Sequence, residues 1–223
     1  MPGTKISQRM RMLALARDCA TLGARIRTIH HLTGLRPREL LHLLFSGQAL
    51  PPRGRAPDSR EWYHGANLPH RIEASVIVAN FGRLRQLGCP AAEALVEAYR
   101  YYQSMHRQPL RISFDRAFDL AAHTEGLWIA RSASFQLASC PRCGSEFLDT
   151  LGGMDTASRS CPFCQLLDRH GRDPRLTASY VVPPPISADI IVHLAPIRGA
   201  EGETPVTPAP FPTAKPSPTL NNG

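Results

Sequence analysis

Four cysteines limit what this chain can fold into more than any other feature. Cys140 and Cys143 form one C-x2-C pair, Cys161 and Cys164 form a second, and seventeen residues separate the pairs. A tetrahedral zinc ion takes four soft ligands at about 2.3 Å, and two such pairs supply four thiolates. The spacing falls in the range of structural zinc ribbons and fingers. Flanking residues suit sharp turns: Pro141 and Pro162 stand inside the pairs, and Gly144 follows the first. Two disulfides are a competing reading. Against them, the first twenty residues carry charges throughout and lack the apolar core of a secretory signal. A redox C-x-x-C is the other, and it would not need a second pair. The sequence therefore predicts one structural Zn²⁺ per chain on Cys140, Cys143, Cys161 and Cys164. Four thiolates close the shell, so the ion would hold a small module folded and do no chemistry.

Charge is distributed unevenly. Residues 1–85 hold fourteen Lys/Arg against five Asp/Glu, residues 86–172 nine of each, and residues 173–223 three against four. The whole surplus behind the net charge of +8 lies in the first segment, mostly as arginine. Guanidinium groups suit bidentate contacts to phosphate and guanine, so the pattern favours a nucleic-acid partner over a merely solvated face. Hydrophobic residues make up 43% of the 223, enough for an ordinary core, and no run of eighteen apolar residues occurs. These features predict a cytoplasmic protein that does not span a membrane. Cys19 and Cys89 fall in or beside helical patterns and read as small apolar core residues.

Hydrophobic spacing predicts a mainly α fold. Leu15, Cys19, Leu22, Ile26 and Ile29 recur at helical intervals and predict one helix over 5–30. A turn around His31 to Leu35 and a second helix opening at Pro37 complete a helix-turn-helix-like outline, which any αα-hairpin shares. Arg36 and Arg38 would open the second helix, where recognition helices meet DNA. The loop Pro51 to Pro57 places Arg53 and Arg55 beside prolines, and Trp62 and Tyr63 read as its anchor. Further helices are expected over 70–87, from Pro90, and from an N-cap at Ser113 to a stop at Gly126. Their aromatic residues read as core. Short extended segments are expected in 127–139 and at Phe147-Leu148. The expected domains are a helical body over 1–130, with its basic part at 1–85, a four-cysteine zinc-ribbon-like module over 131–172, and a disordered tail over 173–223. Ten of the 21 prolines lie between Pro183 and Gly223.

Thr21 to Arg25, the turn at Thr33 to Leu35, the loop Pro51 to Gly54, Trp62, the stretch Tyr99 to Tyr102, and Ser134 to Cys140 leading into the cysteine set follow one another in a specific order. Together they resemble the FlhC family, a subunit of the bacterial flagellar master transcription activator. The likeness covers about residues 8–170. It implies a mostly helical, zinc-bearing, DNA-binding activator subunit that assembles with FlhD, commonly as four FlhD and two FlhC chains. Such a complex binds double-stranded promoter DNA upstream of flagellar genes and helps recruit RNA polymerase. The family's zinc ligands map onto Cys140, Cys143, Cys161 and Cys164. The basic residues expected to contact DNA are Arg25, Arg27, Arg36, Arg38, Arg53 and Arg55.

The chain also departs from the family pattern. His42 to Ser46 lacks the usual lysines, Ala56 to Glu61 is unusual, and a Pro-rich tail replaces a basic C-terminal stretch. These departures keep open an alternative: a zinc-stapled adaptor, or a divergent paralogue, that binds the FlhD-type partner without binding flagellar promoters. An enzyme is not expected. The sequence carries no H-E-x-x-H, no phosphate-binding glycine loop and no nucleophile elbow.

Overall fold

The computed structural model describes residues 2–46, 52, 61–105, 109–152 and 160–180. They fall within one compact unit, Met1–Val181. The order is α1 (Pro2–Thr21), α2 (Ile26–Thr33), α3 (Pro37–Phe45), α4 (Glu61–His64), α5 (Leu68–Gln86), α6 (Ala91–Met105), α7 (Phe114–Glu125), β1 (Phe135–Ser139), β2 (Glu146–Thr150), α8 (Pro162–His170) and α9 (Pro174–Ser179). Helices dominate, as the periodicity requires.

The single helix expected over 5–30 is two helices. Gly23 stands at φ +82°, a left-handed conformation that costs glycine nothing. The Ala24 N–H bonds the Cys19 carbonyl and the Gly23 N–H bonds that of Ala20. Paired bonds of this kind close a helix end by satisfying its orphan carbonyls. The apolar spacing continues across the break because Cys19, Ala24 and Ile29 all enter the same core. The second helix then runs to Thr33, so the turn begins at Gly34, later than expected. Only Gly34, Leu35 and Arg36 separate α2 from α3. His30 braces this turn by donating from Nδ1 to the Leu35 carbonyl at 2.8 Å.

Helix α5 is the hub. It packs against α6, α7, α8 and the hairpin of β1 and β2. Asn67 caps its start by accepting from the His70 N–H. The main core joins α1, α2, α3, α5, α6 and α7 around Leu15, Ile29, Leu40, Phe81, Tyr102 and Phe118. Cys19 is fully buried within it, and burial pushes its thiol up to about 12. Cys89 is half-buried at the edge of the same core. Ser113 caps α7, and Gly126 closes it in the left-handed region.

Residues 127–129 form a turn, not a strand. Trp128 occupies a left-handed conformation at φ 52°, which its ring offsets by packing on Phe118 at 5.1 Å between centroids. Beyond it, β1 and β2 pair antiparallel with Leu137 opposite Leu148. A second core cluster of Tyr63, Val78, Leu120, Phe135 and Leu148 fastens the hairpin to α5 and α7. Tyr63 anchors α4 by donating to the Leu148 carbonyl at 2.8 Å. The neighbouring Trp62 lies under the Arg116 guanidinium. The first residues of the expected tail are ordered: α9 buries Leu176 against Leu68 and Ile72, and Tyr180 donates to the Pro69 carbonyl. The remainder of that tail, from 181, lies outside the described residues.

One buried ion pair locks the N-terminal helices to α7. Asp115 is 3% exposed and accepts from the Arg25 backbone N–H at 3.1 Å, the Arg25 guanidinium at 2.5 Å and the Thr28 hydroxyl at 2.6 Å. Removing a carboxylate from such a site strands its donors. We expect Asp115→Ala to cost about 3 kcal/mol of unfolding free energy, read from the urea midpoint.

Candidate metal centre

The first cysteine pair sits in the turn that joins β1 to β2. Cys140 directly follows β1, and its N–H bonds the Ser145 carbonyl at 2.9 Å. The Gly144 N–H returns to the Cys140 carbonyl at 2.8 Å with Gly144 at φ 71°. This reversal turns both thiols to one side of the hairpin. The second pair opens a helix instead of a second turn. Cys161 is the N-cap residue of α8, Pro162 takes the first helical position, and Cys164 lies in the first turn. Thiolates there gain from the positive end of the helix dipole.

The four sulfurs converge. Their Sγ atoms all lie within 4.8 Å of one another, with Cys140–Cys164 and Cys143–Cys161 each at 3.7 Å. A tetrahedron with thiolates about 2.3 Å from its centre has edges of about 3.75 Å. These two separations match that edge. They are far from the about 2.05 Å of a disulfide, and all six cysteines are free. The arrangement can hold a metal ion, and four sulfurs around it leave no position open for substrate. Phe147, Ala138 and Phe163 pack against the cluster and shield it.

Two features of this centre escaped the sequence reading. Arg142, inside the first pair, makes two hydrogen bonds of 2.6 and 2.8 Å to the Asp168 carboxylate on α8. The fork ties the hairpin turn to the helix, and it holds the Asp168 carboxyl below its usual range. Its signal was available: Asp168 follows Cys164 by one helical turn. The other feature is Ser145, whose hydrogen bonds lower the exposed Cys143 thiol to about 6. Burial acts oppositely on Cys161, which is raised, and on Cys164, which is raised to about 12.

The arginines expected to contact DNA fall into three groups. Arg25 is committed to Asp115 and serves the fold. Arg27, near the start of α2, and Arg36 and Arg38, at the start of α3, are exposed. Arg53 and Arg55 lie outside the described residues. Arg17 on α1 is also exposed on this basic half and was not among the expected contacts.

Comparison with known proteins decides the family. The model of the flagellar transcriptional activator FlhC matches residues 1–177. The chain belongs to the FlhC family. Its relatives include the flagellar transcriptional regulator FlhC of Yersinia enterocolitica, 28% identical over 195 residues, spanning 85% of this chain and 93% of the relative. That of Serratia marcescens is 28% identical over 196 residues, 85% and 92% of the two chains. The Paraburkholderia atlantica protein is 28% identical over 173 residues, 73% of each chain. FlhC is a family of transcriptional regulators and not of enzymes, and this chain is a flagellar transcription activator of that kind. Among the described residues, no helix is long and apolar enough to cross a membrane.

Metal uptake must displace protons. Cys161 and Cys164 both hold theirs at neutral pH in the metal-free site, because their thiols are raised. Each must lose it to become a ligand. Affinity should therefore rise with pH, by about 100-fold per unit if two protons leave per ion. Competition titrations with a chromophoric chelator between pH 6.5 and 8 would measure the slope.

Proposed function

We propose that this chain is the DNA-binding subunit of a hetero-oligomeric activator, held folded by one structural Zn²⁺ on Cys140, Cys143, Cys161 and Cys164. It acts in the cytoplasm with an FlhD-type partner, in the ratio of two to four that the family resemblance implies. The complex binds double-stranded DNA upstream of flagellar genes and recruits RNA polymerase. Three parts divide the work: a helical body, the metal module, and a Pro-rich tail that follows it. The observation that carries the reading is the unpaired basic start of α3. Arg36 and Arg38 project at the N-terminal end of a helix that follows α2 after a three-residue turn, and neither has a partner among the described residues. Arg27 adds to the same basic segment.

Zinc acts through the fold. It joins the hairpin turn to α8, and the hairpin is seated on α5 and α7 by the second core cluster. Cys143→Ser should lower bound zinc to well below one per chain by elemental analysis and should weaken DNA binding with it.

Anisotropy with the co-purified complex at about 150 mM salt tests the function, comparing a flagellar promoter duplex with a scrambled one. The promoter should bind more tightly. Arg36→Ala with Arg38→Ala should weaken binding and reduce the slope of log K against log salt by about two. Equal, weak binding to both duplexes would instead favour the adaptor. The outer side of α3 gives that reading some ground, because it exposes Leu41, His42 and Leu43 where further cations would serve DNA.

A further inference from the structure

Helices α1 and α6 lie side by side and parallel. Arg11 pairs with Glu93 at 2.7 Å, and seven residues further along each helix Asp18 pairs with Arg100 at 2.8 Å. This register sets residue 9 of α1 level with the start of α6 at Ala91. Residues 2–8 therefore run on beyond α6 for about 10 Å at 1.5 Å per residue. Every residue from Lys5 to Arg11 is exposed, and the first buried side chain of α1 is Leu15. Two helical turns without a supporting face are marginal in water. Yet they carry Ile6 and Met10, 66% and 63% exposed and one turn apart on one face.

An apolar side chain of α3 borders this projection. Arg9 is joined to Glu39 of α3 at 2.5 Å, and Leu43 follows Glu39 by one turn on the same side of α3. Leu43 is exposed, whereas Leu41, two positions earlier, lies on the opposite flank of the helix. Ile6, Met10 and Leu43 account for three of the nine large apolar side chains exposed among the described residues. The rim beside them is basic: α1 carries Lys5 and Arg17 with no ion-pair partner among the described residues, Arg9 and Arg11 are taken by Glu39 and Glu93, and α1 has no acidic residue before Asp18.

We propose that the projecting end of α1, together with Leu43 of α3, is a protein-docking surface whose occupant is an apolar helix face edged by Asp and Glu on the partner subunit. Apolar anchors inside a charged rim are the anatomy of a protein interface. A phosphate backbone would answer the cations but leave Ile6 and Met10 in water. A second copy of this chain would set Lys5 and Arg17 against their own kind, and like charges across an interface are costly. The surface rests on the reading that the chain works in a hetero-oligomer, and it gives that assembly a location on α1 and α3, apart from the metal centre.

The test uses the full chain co-expressed with its FlhD-type partner. Three forms are compared: wild type, Ile6→Asp with Met10→Asp, and the milder Ile6→Ala with Met10→Ala. Both positions are exposed on the solvent side of α1, and circular dichroism and bound metal check the fold. Light scattering of the purified complex and a dilution series report assembly. The expected result is partner binding weakened about tenfold or more in the Asp pair and less in the Ala pair, with helicity and metal content unchanged. The charged rim should also make assembly weaken as salt rises. A variant complex of unchanged mass and affinity would overturn the surface while leaving the hetero-oligomer intact. A variant that assembles normally but loses DNA would assign this face to DNA and overturn it too. Loss of self-association in the variant would make the occupant a second copy. A wild-type chain that binds no partner would overturn the hetero-oligomer itself, and this surface with it.

Discussion

The burial of α5 on almost every side is the constraint on which the rest of the structure depends. A helix packed by α6, α7, α8 and a hairpin must satisfy whatever polar groups it carries inward. Helix α5 carries two. Glu73, 1% exposed, accepts from the Tyr102 hydroxyl and the Arg111 guanidinium, both at 2.6 Å. Ser75, fully buried, donates back to the Arg71 carbonyl and accepts from the Leu148 N–H. The first network joins α5 to α6 and to the segment before α7. The second fixes the outer edge of β2, whose Leu148 carbonyl is taken by Tyr63. A hydrophobic core alone would tolerate sliding of these elements, whereas paired polar groups permit one register.

The metal module depends on that register. A two-stranded hairpin is marginal by itself, and this one gains its stability from α5 and α7 on one side and the cysteine cluster on the other. Its turn is also the first knuckle, so the strand pairing that seats Leu148 on the body also sets Cys140 and Cys143. Helix α8 brings the second pair, and α5 packs against α8 as well. Both halves of the cluster are therefore held on one helix. A metal ion held there would therefore complete the packing around the hub.

Positive charge divides by its environment. Asp115 draws Arg25 into the structure, Glu39 and Glu93 brace the projecting start of α1 through Arg9 and Arg11, and Asp168 holds Arg142 at the metal turn. Among the described residues, Arg27, Arg36 and Arg38 at the starts of α2 and α3, and Lys5 and Arg17 on α1, stand exposed without an ion-pair partner. In the proposed function, phosphate contact belongs to the first of these sets. The second is interleaved with apolar side chains, which suits protein.

The sequence by itself determined that four cysteines would converge on one candidate metal centre, the helical class, the caps at Ser113 and Gly126, and the family. These rest on short-range rules: C-x2-C spacing, a 3.6-residue period, and the cost of positive φ. It misled where a local pattern was carried through a tertiary break, as in the helix over 5–30. There Cys19 and Ile29 share a core although Gly23 parts their helices. Only the tertiary structure decided that Arg25 belongs to Asp115, ninety residues away, and that α8 and not a second turn presents Cys161 and Cys164. It also showed that residues 173–180 pack on α5. Each of these depends on a partner distant in sequence, whose position follows from packing around α5 and leaves no periodic trace in the chain.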